Sequence, residues 1–351
     1  MSWAVAAFAT AGAWAQPQWT PILLHPQGAF SSEVHALAPG FAGGQVRLAQ
    51  SETRQPSLWT LGSPGWTSFG SFGTIYDMNA TQQVGLFQGA MLWSGTAQSG
   101  VLLGPFGVPG VTASEAYAIA GDQQVGRAYI NQEDHAALWR GSSSSFVDLT
   151  PAGAQSAIAY ATDGTYQWGG AGYLGPQGLY GRALRWKGAA NDTLDFTPPN
   201  ALYCGVLGVG GGQQVGSVTF PGTPGHAVLW NNTPESWRDM HPFTIGTSIL
   251  HATTGTAQVG WSNVPGFSSP QAGVWFGTPE SFIRLSAFLP PGFGGESIAT
   301  SIIEDGGRYI VGGFADGPNG QHHAFLWTRD IPAPGAIALL VPLAFASRRR
   351  R

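Results

Sequence analysis

Lysine is almost missing from this chain: it occurs once, at Lys187, in 351 residues. Charge of either sign is scarce, at 10% of residues, and four of the fifteen basic side chains are gathered in the terminal run Arg348 to Arg351. Setting that run aside leaves 11 basic (15 − 4) against 19 acidic residues, a balance of −8. Phosphate binding needs clustered positive charge, so nucleic acid is excluded as a partner class. Cysteine also occurs once, at Cys204, so no intrachain disulfide is possible and packing alone must hold the fold. Its apolar setting, ALYCGVLGV, marks a buried structural thiol. No stretch of the interior sustains a helical hydrophobic period. What is abundant instead is glycine, 52 residues, with 25 prolines, a composition that favours many short strands and turns.

The strands repeat. Aligning on the stretches HAALW (135–139), HAVLW (226–230) and HAFLW (323–327) finds a tryptophan in every copy: Trp59, Trp93, Trp139, Trp186, Trp230, Trp275 and Trp327. A second marker precedes most of them, QQVG at 82–85, 123–126 and 213–216. Weaker forms stand at 43–46 (GGQV), 166–169 (YQWG), 257–260 (AQVG) and 309–312 (YIVG). Within a copy the order is a small-residue run, a Gly/Asp/Asn turn, the QQVG run, a variable loop, the HAxLW run, a short turn and a last run ending near Pro. Each run has four to eight residues bounded by turn formers, which reads as four strands joined by hairpins.

A period near 45 residues with four short strands describes a β-propeller blade, and seven copies predict an all-β, seven-bladed propeller over residues 16–330. The main competitor is a right-handed β-solenoid, whose coils are usually half this length or less. Small side chains such as Ala116 to Ala120 suit innermost strands converging on the axis, and the tryptophans suit the wedge between blades. The last copy lacks its fourth strand, while Trp19 to Pro26 matches a fourth strand with no blade before it. That N-terminal strand is therefore expected to close the ring by pairing in the last blade.

Both ends carry export signals by this reading. Residues 1–15 form an apolar run ending in the small-x-small pattern Ala13-Trp14-Ala15, as a signal peptidase site requires. Residues 331–351, IPAPGAIALLVPLAFASRRRR, combine a Pro-x-Pro turn, a hydrophobic segment short for a span and an arginine stop. This three-part order resembles the PEP-CTERM sorting signal of bacterial exported proteins. The resemblance implies an exosortase-type processing enzyme as partner, and membrane contact only through this tail. The repeats with the HAFLW ending resemble the HAF-repeat family of predicted extracellular proteins, which implies secretion and repetition but no activity.

No candidate constellation carries catalysis, a cofactor or a metal. The position of His323 is occupied in other copies by Gln55, Gly89, His135, Arg182, His226 and Gln271, so it reads as a strand residue hydrogen-bonding a neighbouring blade. Asp122, Asp163 and Asp305 fall at the first turn of their copies, and Asp148, Asp195 and Asp239 recur on fourth strands as rim residues. The run GVLGVGGGQQVG (205–216) leads into a strand rather than a helix, so it is a hairpin turn and not a phosphate cradle. The expectation is an exported, non-catalytic binding or structural module, with an extracellular polysaccharide or a surface protein as the partner classes left open. The alternative is a carbohydrate-active enzyme, a glycan hydrolase or lyase on a propeller scaffold.

Overall fold

A computed structural model describes residues 18–332 apart from Pro64 and Gln177. The proposed signal peptide at 1–15 and nearly all of the 331–351 tail lie outside the described residues. Seven four-stranded antiparallel sheets stand around one axis, and the chain is a seven-bladed β-propeller. Blade 1 opens with the innermost strand Ala29–Ala38, blade 3 with Val111–Ala120, blade 5 with Tyr203–Gly210 and blade 7 with Ser297–Asp305. Helical structure among the described residues is limited to five short 3-10 turns, four of three residues and one of four, and no helix is long and apolar enough to cross a membrane.

Blade 7 is built from both ends of the chain. Its innermost, second and third strands are Ser297–Asp305, Arg308–Asp316 and His322–Asp330, and Thr20–Leu23 adds the outermost. The register runs from Thr20 opposite Thr328 to Leu23 opposite Phe325, and the Leu24 amide extends it to the Ala324 carbonyl at 2.9 Å. Without this strand the third strand would present an open row of amides and carbonyls.

The repeat tryptophans do wedge between blades. Trp93, Trp139, Trp186, Trp230, Trp275 and Trp327 are fully buried and Trp59 nearly so. Each packs toward the preceding blade: Trp139 lies with Val84, Ala90 and Leu103 of blade 2, and the Trp230 indole donates to the Phe196 carbonyl of blade 4 at 3.0 Å.

The second marker serves two backbone needs. The Gln side-chain oxygen caps the turn after the tryptophan, Gln124 accepting from the Gly141 amide at 2.7 Å, with Gln83, Gln167, Gln214 and Gln258 equivalent. The Gly faces a β-bulge in the innermost strand, and a Cβ added to Gly126 would collide with the Glu115 carbonyl oxygen. The same collision picks out Gly44, Gly85, Gly169, Gly216, Gly260 and Gly313. In blade 7 the required glycine is thus Gly313, one place past the YIVG reading, and in blade 1 it is Gly44 within GGQV.

Candidate functional site

The bulges create the one feature in which all seven blades meet. Each innermost strand skips a residue at the equivalent place in its register, namely His35, Tyr76, Tyr117, Tyr160, Leu207, His251 and Thr300, and blades 1 and 3 skip a second near the strand start, Phe30 and Thr112. An extra residue in one strand re-aims its side chain out of the ladder; here all seven line a channel of about 220 Å³ on the axis. This corrects the sequence expectation. Small residues such as Ala116 and Ala118 flank the bulge, but the axis itself is met by large aromatic and imidazole rings.

Around the axis the rings form an arc: His35 to Tyr76 at 6.2 Å, Tyr76 to Tyr117 at 5.1 Å and Tyr117 to Tyr160 at 5.7 Å between centroids. Leu207, His251 and Thr300 complete the circle. The Tyr76 and Tyr117 hydroxyls donate to Glu115 Oε2 at 3.2 and 2.8 Å, while Arg127 clamps Glu115 Oε1 at 2.7 Å and Asp134 at 2.8 Å. Burial first, and the Glu115 charge second, push both phenols well above the usual tyrosine range, so they stay protonated donors.

A second carboxylate stands at the seam of blades 7 and 1. Glu33 accepts from Gln45 at 2.6 Å, lies 2.9 Å from His322 Nδ1 and 3.3 Å from His35 Nε2. Burial opposes its ionisation, but the hydrogen bonds and charges of His322 and His35 prevail and hold its carboxyl far below the ordinary range. The bond to Glu33 raises His322 in return, against its own burial. Among the described residues no group of three or more His, Cys, Asp or Glu side chains is placed to hold a metal.

Two further groups in the channel, an acid and a base, are shifted by burial. Burial lifts Asp77 to about 6, although the amides of Ile119 and Met78 favour its charged form. Burial, with the charge of His35 second, lowers His251 to about 4, so its imidazole is neutral near pH 7. Beside the channel a cleft of about 290 Å³ opens between blades 4 and 5, and Tyr160 and Leu207 border both spaces.

Of the repeat-position residues, Gln271 does reach toward the next blade, donating to the Gly295 carbonyl at 2.7 Å in the connection to blade 7, whereas the histidines and Arg182 differ from the sequence reading. His135 and His226 do not reach neighbouring blades; each pairs with the aspartate of its own outermost strand, Asp148 at 2.7 Å and Asp239 at 2.8 Å. Arg182 stands 4.0 Å from Asp195 in the same way. In blade 7 the position equivalent to Asp148 is Leu23, which pairs Phe325 as Asp148 pairs Ala137, so the closing strand offers His323 no acid there. His323 stacks on His25 at 3.7 Å, and both of its ring nitrogens are buried without a partner among the described residues. Asp163 does cap its turn, accepting from the Thr165 and Tyr166 amides, and Cys204 is buried.

The comparisons with known proteins agree with this architecture and go no further. Neither a family model nor a curated protein matches the chain. Among solved structures it is similar to puromycin hydrolase (11% identity, TM-score 0.57, 86% of this chain and 51% of that one), so it spans about half of that enzyme. It is similar to oligogalacturonate lyase in complex with manganese (10%, TM-score 0.55, 90% and 97%). The β-propeller domain of the trilobed protease from Pyrococcus furiosus is a third (7%, TM-score 0.54, 87% and 97%). At these identities the likeness shows the propeller fold alone.

Proposed function

We propose that this chain is an exported, non-catalytic binding module whose ligand is met on one face of the disc. The carrying observation is how exposed apolar side chains are distributed. The disc has a turn face, with the hairpins joining first to second strands and the turns joining third to fourth. Its crossover face has the loops joining second to third strands and one blade to the next. Among the described residues sixteen large hydrophobics are exposed; ten belong to the crossover face, among them Phe72, Phe106, Leu174, Leu179, Ile245 and Phe267, and six to outermost strands. Among the described residues the turn face has none. Apolar exposure gathered on one face and missing from the other supports an interaction surface there.

Chain direction supports an outward orientation. The strand His322–Asp330 runs toward the turn face, where the Ile331 amide bonds the Gly307 carbonyl at 2.9 Å. A sorting tail at 331–351, processed by an exosortase-type enzyme, would therefore hold the turn face toward its anchor and present the crossover face outward. Two of the buried carboxylates near the axis are neutralised, Glu115 by Arg127 and Glu33 by His322, which suits positioning rather than acid/base work.

One observation favours the carbohydrate-active enzyme as second reading: Asp77, at about 6, is poised as a general acid in the channel. A glycan array on the full-length protein, paired with a hydrolase and lyase screen, separates the two. Binding without turnover is expected. Turnover lost in Asp77→Asn would replace the first reading by the second.

A further inference from the structure

We propose that the axial channel and the cleft between blades 4 and 5 form one binding site for a short uncharged oligosaccharide; this rests on the binding-module reading and names its ligand. One residue of the channel wall, His251, has a ring atom, Nε2, that is buried with no hydrogen-bond partner among the described residues. A buried polar atom left unpaired costs free energy that a ligand hydroxyl would recover. Across the channel stand the aromatic faces of Tyr117 and Tyr160. Hydroxyls at one edge and C–H faces at the other describe a sugar ring.

The cleft continues the same chemistry. Its walls are backbone at Gly170, Gly172 and Gly205 and the hydroxyls of Ser156, Ser217 and Thr219, and no charged side chain lines it. Tyr160 and Leu207, shared by both spaces, place cleft and channel side by side, so a ligand of two or more linked rings spans them. Charge excludes the other sugars. Among the described residues no Lys or Arg lines either space, and Arg127, which clamps Glu115, is already shared with Asp134, so an acidic sugar would meet no cation in the walls. It would also meet the Asp77 carboxyl. A basic sugar would find Glu33 and Glu115 already paired and Asp77 committed to the Ile119 amide, from which its Oδ2 accepts at 2.9 Å.

The test uses the full-length protein with neutral gluco-, manno-, galacto- and xylo-oligosaccharides of two to four units, beside uronate oligosaccharides, read by calorimetry and ligand-observed NMR. At Gly205 an added Cβ has nothing within 4 Å, so Gly205→Leu fills the cleft without disturbing the blade. It should abolish binding with an unchanged melting temperature. His251→Leu should weaken binding roughly tenfold, the worth of one buried hydrogen bond, and it keeps the test sound if Gly205→Leu melts early. Absence of any neutral oligosaccharide binding at millimolar concentration overturns the proposal, as does binding of uronates alone. A ligand held on the crossover face but indifferent to both substitutions also sinks it, while leaving the binding-module reading standing.

Discussion

The turn face and the crossover face are made from the same repeat, yet they spend it differently. On the turn face the recurring residues are tied to backbone: five glutamines cap the turns after the tryptophans, and Asn79 and Asp163 cap first-to-second turns. The residues at Gly95, Gly141, Gly188 and Gly277 have φ between 73° and 80°, which glycine adopts without strain. On the crossover face loop lengths vary, the hairpin Gln167–Gly175 to Gly178–Trp186 stands tall, and large apolar side chains reach solvent. A repeat keeps what closes its hydrogen bonds and varies what meets a partner.

That contrast can be broken at several points, beginning with the ring itself. Deleting residues 18–26 removes the outermost strand of blade 7 and exposes an edge, so unfolding of the whole ring at much lower denaturant is expected. A deletion that leaves the denaturation midpoint unchanged would show that the seam does not hold the ring. Next in size, Trp139→Ala or Trp230→Ala should cost about 3–5 kcal/mol by denaturant titration. Gly126→Ala should be nearly as damaging despite adding a single methyl, because the Glu115 carbonyl occupies the space; a neutral outcome would mean that the bulge relaxes freely.

Acid should act on the seam rather than on the face. Burial lowers His25 to about 4, with the like charge of His323 second, and burial lowers His323 as well. Depressed bases contribute stability that is complete above pH 6.5 and is lost as pH falls toward the folded value. The melting temperature should therefore drop between pH 6.5 and 4, and His25→Phe, which keeps the stack without a proton site, should flatten part of that slope. An equal slope in both proteins would remove the pair from the account. The smallest effect belongs to the crossover face: Leu174→Ser with Leu179→Ser should shift stability by about 0.5 kcal/mol or less. If that pair costs as much as Gln124→Ala, the two faces do not differ as described.

How much was legible follows from what each feature depends on. The tryptophan wedge, the four-strand blade and the closing strand rest on patterns within one copy or on counting copies, so they could be read from order and spacing. The His135–Asp148 pair was also within reach, since both recur, but the two columns were read apart and the bond was assigned to the wrong blade. The axial ring left a faint trace: His35, Tyr76, Tyr117, Tyr160, Leu207 and His251 each stand nine residues before the glycine of the second marker. Nothing in that spacing says that a bulge turns them inward, and in blade 7 the interval from Thr300 to Gly313 is longer.

By itself the sequence determined a propeller of seven blades, its closure by the N-terminal strand and the burial of its tryptophans, because each follows from local strand and turn chemistry repeated around a circle. Only the tertiary structure decided what meets at the axis. Residues more than forty positions apart become neighbours there when the ring closes, and a one-residue bulge, invisible in the pattern of hydrophobicity, decides which of them face the channel. It also decided that ten exposed apolar side chains share one face, since that requires knowing which loops lie on which side of the disc. Loop side is a property of strand direction in the assembled ring, and no single copy contains it.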